Sequence, residues 1–143
     1  MIGTLITRRA VQAGFAALNR GDANALMKLW DDECTFFYPG RVKAGGNYEG
    51  KPQLRAWFEG FFAQFPHRKY TIKHIGLTNL FDVAGNNTVF VSFDLELINR
   101  NQLRATNSGV SMITIRSGKA ISEKIFLDII DGDEYKRSWG DIS

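Results

Sequence analysis

Thr88-Val-Phe-Val-Ser-Phe-Asp-Leu-Glu-Leu-Ile98 is the stretch whose pattern settles the fold class. Val89, Val91, Phe93, Leu95 and Leu97 recur at every second position, with Ser92, Asp94 and Glu96 between them, which is the period of a strand with one buried face. Three neighbouring runs, Tyr70 to Val83, Ala105 to Arg116 and Ala120 to Ile130, are strand-like in the same way. The breaks between them, Ala84-Gly85-Asn86-Asn87, Arg100-Asn101-Gln102 and Ser117-Gly118-Lys119, are short and turn-forming, so the second half of the chain reads as an antiparallel meander.

Upstream the period changes. Val11, Phe15 and Leu18 fall at helical spacing between Thr7 and Asn19, and Arg20-Gly21-Asp22 ends that helix and caps a second one. The second helix is short, carries Leu26, Leu29 and Trp30, and stops at Asp31-Asp32-Glu33; Cys34 to Tyr38 then reads as a strand closed by Pro39-Gly40. Residues 41–50 hold three glycines and form a surface loop, a candidate lid. Lys51-Pro52 opens a third helix made aromatic by Trp57, Phe58, Phe61, Phe62 and Phe65 and ended by Pro66. Helices first and a meander afterwards predict an α+β fold, a cone-shaped curved antiparallel sheet packed against three N-terminal helices. The expected organisation is a single domain over residues 1–143, with a core at about 5–130 and a polar tail at 131–143 that either frays or folds back on Trp139.

Composition narrows the function classes. Eleven Phe against three Trp and four Tyr point to a greasy interior. The net charge of +3, from 18 basic and 15 acidic residues mixed along the chain, is too small for a nucleic-acid footprint. Cys34 is the lone cysteine, which excludes an internal disulfide, and the two histidines, His67 and His74, lack the spacing of a metal site. Neither a membrane-spanning run nor a signal-peptide core is present, so no membrane partner is expected and the cytoplasm is the default location.

The run Ala17-Leu-Asn-Arg-Gly-Asp-Ala-Asn-Ala-Leu-Met-Lys-Leu-Trp-Asp-Asp-Glu-Cys-Thr-Phe-Phe-Tyr-Pro-Gly40 resembles the opening of the nuclear-transport-factor-2-like superfamily. The helix from Gly50-Lys-Pro-Gln-Leu-Arg-Ala-Trp-Phe and the late strands joined by Ser-Gly-Lys extend that likeness to about Asp128, nearest to the SnoaL-like polyketide cyclases and ketosteroid isomerases. The resemblance implies a helix-lined cone around a pocket for a small apolar molecule, cofactor-free acid–base chemistry, and a homodimer through the outer sheet face. That face is expected to show Phe37, Val110, Met112 and Phe126. At the three positions where the isomerases place their catalytic side chains this chain has Gly14, Tyr38 and Ser111, so their usual reaction is not expected.

Strand phase supplies the remaining candidates. Glu123 lies in phase with Ile121, Ile125 and Leu127, which makes it either a cavity acid or base, a buried ion-pair partner of Arg55 or Arg104, or a residue turned outward by a bulge. Tyr38 shares a face with Phe36 and Cys34 and is the second catalytic candidate, while Ser111 and Asn107 align with Ile113 and Ile115 as ligand donors or acceptors. Trp57, at the helix position where the resemblance implies a pocket-wall aromatic, Phe36, Phe61 and Phe93 are the expected ligand-contacting aromatics, and Trp57 would serve equally well as plain core. His74 is placed on the face of Tyr70 and Ile72. The leading expectation is a lyase, isomerase or cyclase without metal or cofactor, in which Glu123 moves a proton; the rival is a non-catalytic module binding an apolar ligand or a protein.

Overall fold

The computed structural model describes residues 2–141. Among them, four helices and six strands follow in the order α1 (Ile2–Arg20), α2 (Ala23–Met27), β1 (Trp30–Tyr38), β2 (Gly46–Glu49), α3 (Lys51–Gln64), β3 (His67–Leu77), β4 (Asn87–Ile98), β5 (Arg104–Arg116), β6 (Lys119–Leu127) and α4 (Asp133–Trp139). The strands form one curved, unclosed sheet in the order β2-β1-β6-β5-β4-β3, an α+β architecture with α1 to α3 before the meander. No helix among the described residues is long and apolar enough to cross a membrane.

The alternation read in β4 is the strongest feature of the sheet. Val89, Val91, Phe93, Leu95 and Leu97 are all buried, and Asp94 and Phe90 face out. Antiparallel pairing runs unbroken from Asn87 with Ile115 to Ile98 with Arg104, so β5 inherits the same inward face. The sheet is not wholly antiparallel, which corrects the expectation: β6, the last strand, enters between β5 and β1 and runs parallel to β1.

The α1–α2 corner shows how local sequence and tertiary contact agree. Gly21 takes φ +70°, and its N–H donates to Leu18 O at 3.2 Å while Asp22 N–H donates to Ala17 O at 3.0 Å, the paired bonds of a Schellman end. Asp22 Oδ1 then accepts from Ala25 N–H at 2.9 Å and starts α2. The Arg68 guanidinium, buried, donates to carbonyls at two helix ends: Leu18 O at 2.9 Å, which Gly21 N–H also reaches, and Asn19 O at 3.4 Å from α1, Phe62 O at 3.5 Å from α3, and Phe65 O just beyond it.

Several expected boundaries move. Trp30 and the acidic run Asp31-Asp32-Glu33 belong to β1 rather than to the second helix, because Trp30 pairs with Ala120 and sheet hydrogen bonds outweigh a weak local helix. Within 41–50, residues 46–49 form β2 on β1, and the segment is tied down by Trp57 Nε1 and Tyr48 Oη donating to Ala44 O at 2.9 and 2.8 Å. A bulge between Ile72 and His74 turns His74 outward and brings Ile75 to the inner side. The tail folds back as α4: Trp139 sits 4.8 Å from Phe65, 5.4 Å from Tyr38 and 5.8 Å from Phe61 between ring centroids. The packed core therefore reaches Trp139; Ile142, the tail's last apolar residue, lies outside the described residues.

Candidate functional site

Glu123 stands on β6, paired with Ile113 of β5 on one side and Phe36 of β1 on the other. It lines a cavity of about 70 Å³ whose other walls are Val11, Gly14 and Phe15 of α1, Leu26 of α2, Trp30, and Ile113 and Ile115 of β5. Every neighbour in that set is apolar or a glycine except for the indole N–H of Trp30. The residue is partly buried and faces this hollow, which reaches the surface beside the exposed Gly118.

The electrostatics follow from that placement. Burial pushes the Glu123 carboxyl up to about 7, against an ordinary value of 4.5, and the one opposing influence is the Ser111 hydroxyl, which donates to Oε1 at 3.3 Å. The two arginines offered as ion-pair partners are engaged elsewhere: Arg104 holds Glu96 at 2.6 Å, and Arg55 meets Asn24 at 3.0 Å and Glu59 at 3.5 Å. Tyr70, which the sequence reading did not select, is near enough for the Glu123 charge to raise its phenol further above a value already lifted by burial. Its ring packs on Phe15 at 5.6 Å and Phe93 at 5.3 Å. The signal for it was present, since Tyr70 heads the inward face of β3, but the bulge beyond Ile72 broke the phase that would have singled it out.

Of the predicted site residues, the structure brings together Glu123 and Ser111, with Phe93 standing behind Phe15 at 5.8 Å, and, separately, Tyr38 and Asn107, which line a second cavity. Tyr38 is not in the Glu123 cavity. The parallel register sets Phe36 beside Glu123, so Tyr38 lies two residues further along β1, on the wall of that second cavity of about 220 Å³ with Leu95, Leu97, Leu127, Tyr135 and Ser138. Burial, with Tyr135 and Tyr70 nearby, holds its phenol well above 10, so it stays protonated. Asn107 is committed to backbone: its amide donates to Ile129 O at 2.7 Å and accepts from Ile129 N–H at 3.0 Å, which fastens the chain beyond β6. Phe36 is buried in a ring cluster, 4.8 Å from Trp57 and 5.5 Å from Phe58, while Trp57 and Phe61 border an outer groove beside Ala44 and Trp139. Among the described residues no group of three or more His, Cys, Asp or Glu is placed to hold a metal ion.

What this arrangement can do is move a proton. A carboxyl group poised near neutrality in an apolar hollow, with no cation paired to it among the described residues, can act as base or acid toward an apolar guest.

Known proteins bear on the fold and family. No curated protein matches the chain. Among solved structures it is similar to the "putative isomerase" of Bacillus subtilis, at 19% identity over 99% of this chain and 97% of that one with a TM-score of 0.77. It is similar also to the "putative scytalone dehydratase" of Novosphingobium aromaticivorans (12% identity, 90% and 85% covered, TM-score 0.77) and to TerC co-crystallised with polyporic acid (16% identity, 86% and 92% covered, TM-score 0.70). At these identities the likeness shows the nuclear-transport-factor-2-like fold and nothing finer. The family of the SnoaL-like domain matches residues 11–123, which span α1 from Val11 through β6 to Glu123 itself, and the chain belongs to that family.

Proposed function

We propose that the chain is a small-molecule isomerase, lyase or cyclase of the SnoaL-like type, with Glu123 as its general base and acid. The observation that carries this reading is the lone carboxyl group of Glu123 in an apolar cavity, pushed up to about 7 and bonded only to Ser111 Oγ. In the ionised form Glu123 takes a proton from a carbon next to a carbonyl, and the protonated form returns it at another carbon or to a departing hydroxyl. Ser111 holds the carboxylate in place, and the apolar walls select a largely apolar, oxygenated substrate. The isomerase and dehydratase names among the structural neighbours agree with this class of chemistry.

The test is solvent deuterium exchange into a panel of small apolar ketones and enones, followed by NMR. Wild type is expected to catalyse exchange or isomerisation of at least one compound, and Glu123→Gln, still folded by circular dichroism, to slow it by about a hundredfold or more. Equal rates in both proteins would overturn the assignment. The small volume of the cavity favours a second reading, a non-catalytic module holding an apolar ligand; saturable binding with no exchange in either protein would establish it.

The assembly belongs to the same proposal, a homodimer through the outer sheet face in a cytoplasmic protein. Across that face Phe90 aligns with Met112, and Val110 with Phe126, while Lys124 lies over the rings of Phe37 and Phe126 at 5.3 and 5.1 Å. The unpaired, buried Cys34 agrees with a reducing compartment. Sedimentation velocity is expected to give a dimer for wild type and a monomer for Phe126→Glu; a monomeric wild type would contradict the assembly.

A further inference from the structure

The end of the cone where α1 begins displays a group of apolar side chains that nothing within the described residues covers. Ile2, Leu5 and Ile6 stand on the exposed side of the first turns of α1, and Leu80, Phe81 and Val83 on the loop joining β3 to β4. Val83 is 86% exposed, Phe81 84% and Ile2 78%. The two groups adjoin, since a Cβ built on Gly3 would lie 2.2 Å from the Asp82 carbonyl oxygen. The loop is also braced. Asp82 Oδ1 accepts the N–H groups of Ala84 and Asn86 at 2.9 and 3.0 Å, and Gly85 O accepts from Gly118 N–H at 3.0 Å on the β5–β6 turn. Phe81 and Val83 are thus held out on a fixed support.

The exposed charge on the α1 side of this patch is basic. Helix α1 contains no acidic residue, and its Arg8 and Arg9 are exposed just beyond Ile6. Arg116 and Lys119, also exposed, flank the turn on which the loop rests. The single acid in these segments, Asp82, is buried. The acidic run Asp31-Asp32-Glu33 follows Trp30, the partner of Ala120, so it borders the patch on the Lys119 side only, away from α1; there Lys51 meets Asp32 at 3.4 Å.

We propose that this end of the molecule docks on a membrane surface containing anionic lipid, with the six apolar side chains entering the boundary between headgroups and acyl chains and Arg8, Arg9 and Arg116 on lipid phosphates, while the Lys119 ammonium donates to Lys28 O. Charge complementarity decides the occupant. A second copy packed on the same face would set Arg8 and Arg9 against their own counterparts, and would have to offer a hollow for side chains that project almost wholly into solvent. A fluid anionic interface closes around such side chains and neutralises such charges. This mode needs no spanning helix, and no helix among the described residues is long and apolar enough to be one. Ala10, Val11 and Gly118, from the same segments, line the Glu123 cavity, so the docked face adjoins it; the docking itself does not depend on the catalytic reading.

The experiment is co-sedimentation of the full chain with vesicles of phosphatidylcholine alone or mixed with phosphatidylglycerol, at low and high salt. Binding is expected to the mixed vesicles only and to weaken with salt. Phe81→Ser is expected to weaken it tenfold or more and Arg9→Gln by about fivefold, both with unchanged melting temperature, while Leu103→Ser on the exposed β4–β5 turn leaves it intact. No binding to mixed vesicles, or binding unaffected by Phe81→Ser, would overturn the proposal. So would self-association abolished by Phe81→Ser without vesicle binding, which would assign the patch to a second copy.

Discussion

Glu123 carries a consequence for stability that can be separated from any activity. Its folded-state value, about 7, lies above the ordinary 4.5, so between those limits the folded chain keeps a proton that the unfolded chain releases. Stability contributed by this group is present at low pH and falls as pH rises through that window, by roughly 3 kcal/mol in all. Asp22, Asp82 and Glu96 are held below the usual carboxylate range by their hydrogen bonds and act in the opposite direction, losing stability as pH falls. Their effect cancels when two proteins sharing them are compared. Glu123→Gln is therefore expected to gain on wild type by up to roughly 3 kcal/mol between about pH 5 and about pH 8, measured by urea unfolding at both. A difference that stays constant with pH would mean that Glu123 is solvated.

Among the elements, the C-terminal ends of α1 and α3 depend on one side chain. Arg68 is buried with no carboxylate beside it, satisfied by carbonyls of both helices and by the Phe62 ring at 4.6 Å. Burial lowers its pKa without neutralising it, and helix C-termini favour a cation there. Arg68→Met is expected to cost roughly 3 kcal/mol or more, because several buried carbonyls lose a partner, and Arg68→Lys to restore only a minor part, since an ammonium cannot span two helix ends. A loss below about 1 kcal/mol in thermal or urea melts would contradict the clamp. At this scale the sequence was legible wherever local chemistry acts: Gly21 and Asp22 turned α1 into α2, and strict alternation produced β4. It was not legible where an element exists through its partner. Gly46 to Glu49 has no strand pattern of its own and becomes β2 by pairing with β1, and the Ile72–His74 bulge leaves no mark in composition.

For the whole molecule, face assignment and position along the cone proved to be different kinds of information. Alternation placed Glu123, Ser111 and Tyr38 on inner faces, and all three point inward. It carried nothing about register between distant strands. The parallel pairing of β1 with β6 separates Tyr38 from Glu123 and gives each its own cavity, and α4 lays Tyr135 and Trp139 beside Tyr38. The eleven phenylalanines foretold a greasy interior, and most of that volume is filled by rings. Of the two hollows that remain, the smaller has Glu123 as its one ionisable side chain among the described residues. The account therefore rests on that carboxyl group being desolvated and unneutralised. Its most direct test is a pH titration of the side-chain carboxyl carbons by NMR in ¹³C-glutamate-labelled protein, with Glu123→Gln assigning the resonance. A midpoint near 7, moving higher in Ser111→Ala as the hydrogen bond to the ionised form is lost, is the predicted result. A midpoint near the ordinary 4.5 would contradict it.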